Sequence, residues 1–112
     1  MRPSASPLAT SPLVLAEVDY LAARAGRLVR DAFRHDVGAG AYTIGWWGAA
    51  VGSMVDLADR YADLGVSLAD ASLVALAARL GTTSIATFDE RHFRAMQPLT
   101  GEPAFTLLPA DA

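Results

Sequence analysis

Apolar residues recur at helical spacing in four stretches of the chain, and two of these stretches carry clear boundary signals. The first opens with Ser11 as an N-cap and Pro12 at the first helical position, which predicts a helix from Pro12 to about Ala25. The last runs from about Leu68 to Leu80 and is closed by Gly81. Because this last stretch is apolar on nearly every side, we expect the helix to be buried.

Two further amphipathic helices are predicted between them. One separates apolar residues from arginines, with Leu28, Val29, Ala32 and Phe33 on one face and Arg24, Arg27, Arg30 and Arg34 spread over the other. In the other, apolar residues recur at helical spacing up to a stop at Gly65, namely Val51, Met54, Val55, Ala58 and Ala62.

Short apolar and β-branched runs between the helices predict strands. These runs are "PLAT", "GAGAYTIGWW", in which a turn precedes the strand, "TSIATF" and "AFTLL". Strands that alternate with helices predict an α/β fold with a covered, mostly parallel sheet. We expect a single domain over residues 1–112, with residues 1–7 irregular.

Composition narrows the function classes. The chain has 112 residues, of which 53% are apolar, and a net charge of −3 from nine arginines, no lysine and 12 acids. This balance argues against a protein that coats nucleic acid by charge alone. It leaves open an enzyme that acts on nucleic acid through metal ions, because carboxylates that hold metals make a site acidic. The chain has no cysteine, which excludes disulfides and is compatible with the cytoplasm, where we expect the protein to be.

Residues 37–55 carry no charge and are long enough to resemble a membrane span. Five glycines interrupt this run, Trp46 and Trp47 lie at its middle, and no basic residue flanks it closely. We therefore expect no membrane span.

Three carboxylates lie in unusual positions. Glu17 has apolar residues at all its i±3 and i±4 positions, and Asp70 opens the predicted buried helix. Asp89 follows "SIATF" directly, at the carboxyl end of a parallel strand, where α/β sheets place ligand sites. Carboxylates on a helix face, at a helix start and at a strand end can converge, and clustered carboxylates usually hold a divalent cation.

Each acid also has a simpler interpretation. Asp70 stands three residues after Ser67, which is the spacing of a capping box, and Asp89 could cap a short helix that starts near Glu90. Glu17 could reach the surface or pair with an arginine. His92 could be a general base, although an isolated histidine is more often a packing or surface residue.

At these residues the sequence resembles a known family. The segments "SPLVLAEVDYLAAR", "YADLGVSLADASLVALAARLGTTSIATFDERHF" and "AFTLLPA" are similar to PIN-domain ribonucleases, in particular VapC-type toxins of bacterial toxin–antitoxin pairs. The resemblance runs from about Leu8 to the C-terminus. The segments occur in order and at family-like spacing, so their combination is specific.

The resemblance implies an α/β/α sandwich with a parallel sheet that cleaves single-stranded RNA with Mg²⁺ or Mn²⁺. Glu17, Asp70 and Asp89 would match the family's catalytic and metal-binding acids. It also implies a cognate antitoxin as partner and a homodimer.

The chain departs from the family at its start. The family begins with a strand that carries its first catalytic aspartate, in a pattern such as "VDTSAL", and "MRPSASPLATSP" contains nothing similar. We therefore expect an N-terminally truncated PIN-like fold that lacks a strand–helix unit of roughly 30 to 40 residues. The missing strand would lie between those of "PLAT" and "SIATF", and its loss should weaken cation binding.

Two other functions stay open from the sequence. One is a catalytically inactive PIN-like protein that only binds an antitoxin or a toxin subunit. The other is an unrelated small α/β domain whose acids are caps and surface pairs.

Overall fold

The computed structural model describes residues 8–87 and 90–112. Residues 1–7 and Asp89, two subjects of the sequence predictions, lie outside these ranges. The chain divides into two compact units, Met1–Gly45 and Trp46–Ala112. Each unit is described by itself below.

In the first unit, two short parallel strands accompany two helices. The elements are β1 (Leu8–Thr10), α1 (Pro12–Ala25), α2 (Arg27–Gly38) and β2 (Tyr42–Ile44). β1 pairs with β2 from Leu8 opposite Tyr42 to Thr10 opposite Ile44. Helix α1 has the predicted bounds. Ser11 caps its start, its Oγ accepting from the backbone N–H of Val14 at 3.2 Å.

Helices α1 and α2 pack side by side, and an ion pair joins a residue of one helix to a residue of the other. Asp19 accepts hydrogen bonds from Arg34 Nε at 2.7 Å and Nη2 at 2.9 Å. The apolar side chains of α2 are less covered than amphipathic spacing suggests, because Leu28 is 83% exposed and Val29 49% exposed. The predicted two faces of α2 are present, yet neither is buried.

The second unit consists of three helices, a short 3₁₀ turn and a second parallel strand pair. The elements are α3 (Ala50–Arg60), the 3₁₀ turn Ala62–Leu64, α4 (Leu68–Leu80), β3 (Ser84–Ala86), α5 (Arg91–Ala95) and β4 (Thr106–Leu108). β3 pairs with β4 from Ser84 opposite Thr106 to Ala86 opposite Leu108. Helices and parallel strands in alternation confirm the predicted α/β class. The described strands form two parallel pairs, β1 with β2 and β3 with β4.

Helix α4 is the central element of this unit, as its apolar composition predicts. Seven of its 13 residues are buried: Ala69, Ala71, Ser72, Val74, Ala75, Leu76 and Ala77. It packs against α3, which contributes the buried side chains of Met54 and Leu57. Further buried side chains come from the strands and the segments around them, among them Ile85, Phe93, Met96, Phe105 and Leu107.

The structure ends the third helix earlier than predicted and divides the uncharged run of residues 37–55 among several elements. The third helix ends at Arg60, because the chain tightens into the 3₁₀ turn before Gly65 takes up a left-handed φ of 72°. Residues 37–55 contain the end of α2, strand β2 and the start of α3 rather than one continuous helix. Among the described residues, no helix is long and apolar enough to cross a membrane.

Candidate active site

Asp70 lies in the first turn of α4, where the backbone is fixed by a serine cap. Ser67 adopts an extended conformation, and its Oγ accepts from the backbone N–H of Asp70 at 3.1 Å. An acidic side chain in a first turn is favoured by the helix dipole. The Asp70 side chain is 23% exposed, so it is partly withdrawn from water but still accessible.

The Asp70 carboxylate does not complete a capping box. A capping box requires the third residue of the helix to reach back to the N-cap backbone N–H. Instead, Asp70 Oδ2 lies 2.7 Å from Nδ1 of His92. Within residues 8–87 and 90–112, this is the only hydrogen bond of the carboxylate, so the interpretation of Asp70 as a backbone cap is wrong.

His92 reaches Asp70 from α5, and two neighbouring side chains hold that short helix in place. Phe93 is 4% exposed and meets the Phe105 ring edge to face, with centroids 6.5 Å apart. Arg94 forms ion pairs with Glu90 and Asp111. The His92 side chain is itself only 13% exposed.

The contact between His92 and Asp70 was missed by sequence reasoning. The two residues are 22 positions apart and belong to no common spacing pattern. The sequence favoured a packing or surface role for His92. The only local signal was the position of His92 just after "SIATF", near the predicted carboxyl end of a strand.

The other two predicted site residues are Glu17 and Asp89. Glu17 is exposed on α1, in the first unit, and its neighbours Tyr20 and Leu21 are also exposed. The apolar face predicted around Glu17 is therefore largely exposed on α1. Asp89 lies outside the described residues. Residues 8–87 and 90–112, which do not include Asp89, contain no group of three Asp, Glu or His side chains close enough together to hold a metal ion.

Two arginines of α2 and the Trp47 ring have partners within the protein. On the arginine face of α2, Arg34 pairs with Asp19 and Arg30 with Asp31. Arg79 lies over the ring of Trp47, 4.5 Å from its centroid. Such contacts favour a structural use of these side chains.

The family model described as "PIN domain" matches residues 2–97. The chain belongs to the PIN-domain family. A curated relative of this PIN domain is Ribonuclease VapC26 of Mycobacterium tuberculosis (strain ATCC 25618 / H37Rv). The two are 39% identical over 108 residues, which is 95% of this chain and 79% of the relative.

Family membership confirms the resemblance to PIN-domain ribonucleases of the VapC type, and with it the α/β fold class. The match covers α4 and α5, so the pair formed by Asp70 and His92 lies inside the PIN domain. A hard divalent cation prefers carboxylate oxygens as ligands. In this PIN domain the carboxylate of Asp70 can provide such an oxygen. Asp70 is half-buried, and its Oδ1 accepts no hydrogen bond from residues 8–87 or 90–112.

Proposed function

We propose that this PIN domain is a metal-dependent endoribonuclease toxin of a bacterial toxin–antitoxin pair, and that it cleaves single-stranded RNA. The observation that carries the proposal is the Asp70 carboxylate, which lies half-buried at the start of α4 with one oxygen held by His92 and the other without a partner among the described residues. The family match and the ribonuclease named as its relative support the reaction type.

Glu17, Asp70 and Asp89 are the residues that we propose to hold Mg²⁺ or Mn²⁺. A divalent cation held by carboxylates lowers the pKa of a water molecule and stabilises the charge that develops on a phosphate. Asp70 suits this role because the backbone of its helix turn is fixed by Ser67. Glu17 suits it because its side chain is accessible on a regular helix.

Cleavage of single-stranded RNA by the 112-residue chain tests the proposal. With Mg²⁺ we expect cleavage by the wild type, no cleavage after a chelator is added, and no cleavage by Asp70→Asn. Asp56→Asn is the matched control, because Asp56 is an exposed aspartate in the middle of α3, and it should cleave like the wild type. Unchanged cleavage by Asp70→Asn would contradict the assignment of Asp70.

Absence of cleavage by the wild type would favour the inactive alternative, a protein that only binds an antitoxin or a toxin subunit. In that case the chain should still form a complex with a cognate antitoxin, which a sizing column detects. The same column, run on the chain alone, tests the proposed homodimer.

A further inference from the structure

We propose that His92 is a positioning residue that orients the Asp70 carboxylate for the cation. The inference rests on the proposed function, because it assigns His92 a task only if Asp70 holds a metal. It begins from the 2.7 Å separation between His92 Nδ1 and Asp70 Oδ2. That distance lies at the short end of the range for hydrogen bonds to ionised groups.

The direction of this hydrogen bond follows from the chemistry of the two groups. An ionised carboxylate can only accept, so the proton must be on Nδ1 of His92. The bond occupies Oδ2 and leaves Oδ1 as the oxygen available to a cation. Metal-binding carboxylates are commonly held in this way by a hydrogen bond from a neighbouring group.

Because both side chains are partly buried, the hydrogen bond from His92 restrains the Asp70 carboxylate more firmly than an exposed hydrogen bond would. The His92 side chain is 13% exposed and that of Asp70 is 23% exposed, so water competes poorly for either partner. A free aspartate rotates about two side-chain bonds, and the hydrogen bond restricts this rotation before any cation arrives. Less conformational entropy is then lost when the cation binds.

The position of His92 is determined by the packing of α5. Phe93 places one side of this five-residue helix in the core against Phe105. The next residue, Arg94, forms an ion pair with Asp111 near the C-terminus. His92 thus approaches Asp70 from a helix whose placement is fixed by contacts outside the proposed metal site.

The experiment measures Mn²⁺ affinity by electron paramagnetic resonance of the free ion, using the 112-residue chain. His92→Phe keeps a ring but removes the donor, and we expect it to weaken Mn²⁺ binding by about 10- to 100-fold. His92→Asn places a donor nitrogen at the same number of bonds from the backbone as Nδ1, so its affinity should return close to the wild-type value. His35→Phe is the matched control, because His35 is exposed on α2, and its affinity should equal that of the wild type.

The variants separate this inference from the function on which it rests. If the wild type has a Mn²⁺ site that Asp70→Asn lacks, but His92→Phe binds as tightly as the wild type, the positioning role is wrong and the proposed function stands. If the wild type has no Mn²⁺ site, or Asp70→Asn keeps it, the proposed role of Asp70 and the positioning role both fail. If His92→Asn binds Mn²⁺ normally but does not cleave RNA, His92 acts on the reaction itself, and the positioning role is again overturned.

A second measurement needs no variant at this position, in case His92→Phe does not fold. Nitrogen-15 spectra of the imidazole rings should show a proton fixed on Nδ1 of His92, and signals that shift on saturation with Mg²⁺. The signals of His35 should not shift. A His92 ring whose signals ignore saturating Mg²⁺ would contradict the proposal.

Discussion

Arg94 on α5 contacts Asp111, the second-last residue of the chain, at two points. Its Nη1 lies 2.8 Å from Asp111 Oδ2, and its Nη2 lies 2.7 Å from Oδ1. The same carboxylate accepts from the backbone N–H of Leu107 in β4 at 2.8 Å. The C-terminal residues are thereby linked both to the helix that carries His92 and to a strand of the core.

This contact predicts a stability difference that depends on pH. The hydrogen bonds from Arg94, and then the one from Leu107, lower the pKa of Asp111 from 3.8 to about 2. A carboxylate whose pKa is lowered on folding contributes stability above its unfolded pKa, and this contribution disappears as the pH falls through the folded pKa. We therefore expect Asp111→Asn to melt below the wild type at pH 7, and the gap to narrow from about pH 4 to about pH 2.

The measurement is the melting temperature of Asp111→Asn and of the wild type at pH values from 7 to 2. Asp56→Asn again serves as the control, because it removes an exposed aspartate for which the described residues provide no ion pair. A gap between Asp111→Asn and the wild type that stays constant from pH 4 to pH 2 would show that the ion pair is not its cause.

The serine cap of α4 predicts a measurable loss when it is removed. Ser67→Ala leaves the backbone N–H of Asp70 without its acceptor, which should cost about 1 kcal/mol of unfolding free energy. For a domain of this size the melting temperature should fall by about 4 °C.

Ser53→Ala is the comparison for the cap, because Ser53 lies exposed inside α3 and alanine favours a helix interior. That variant should be at least as stable as the wild type. Equal melting temperatures for Ser67→Ala and Ser53→Ala would indicate that the hydrogen bond from Asp70 to Ser67 contributes little.

Local signals account for the parts of the fold that the sequence predicted well. Ser67 before α4 and Gly81 after it act on the backbone within one turn, and the observed helix begins and ends where they require. The same holds for Ser11 and Pro12 at the start of α1. The end of α3 was predicted less well, because the choice between another α-helical turn and a 3₁₀ turn before Gly65 involves small energy differences.

Features that depend on the tertiary fold could not be predicted as well from the sequence. Sequence reasoning singled out Asp70 for its apolar surroundings, but it could not identify His92 as its partner, because the two lie 22 positions apart. The converse applies to Glu17, whose apolar neighbours at helical spacing suggested a buried face. Tyr20 is 61% exposed and Leu21 56% exposed, so helical spacing alone did not establish burial.

Two leucines in helices should differ widely in their contribution to stability. Leu57 in α3 is 1% exposed and Leu28 in α2 is 83% exposed, although both replacements by alanine change helix propensity equally. Leu57→Ala leaves a cavity and should cost about 2 to 5 kcal/mol of unfolding free energy. That cost is a large part of the stability of a small domain. Leu28→Ala should stay within about 0.5 kcal/mol of the wild type. Urea unfolding of both variants tests this, and a loss at Leu28 as large as that at Leu57 would mean that something covers the exposed side of α2 in solution.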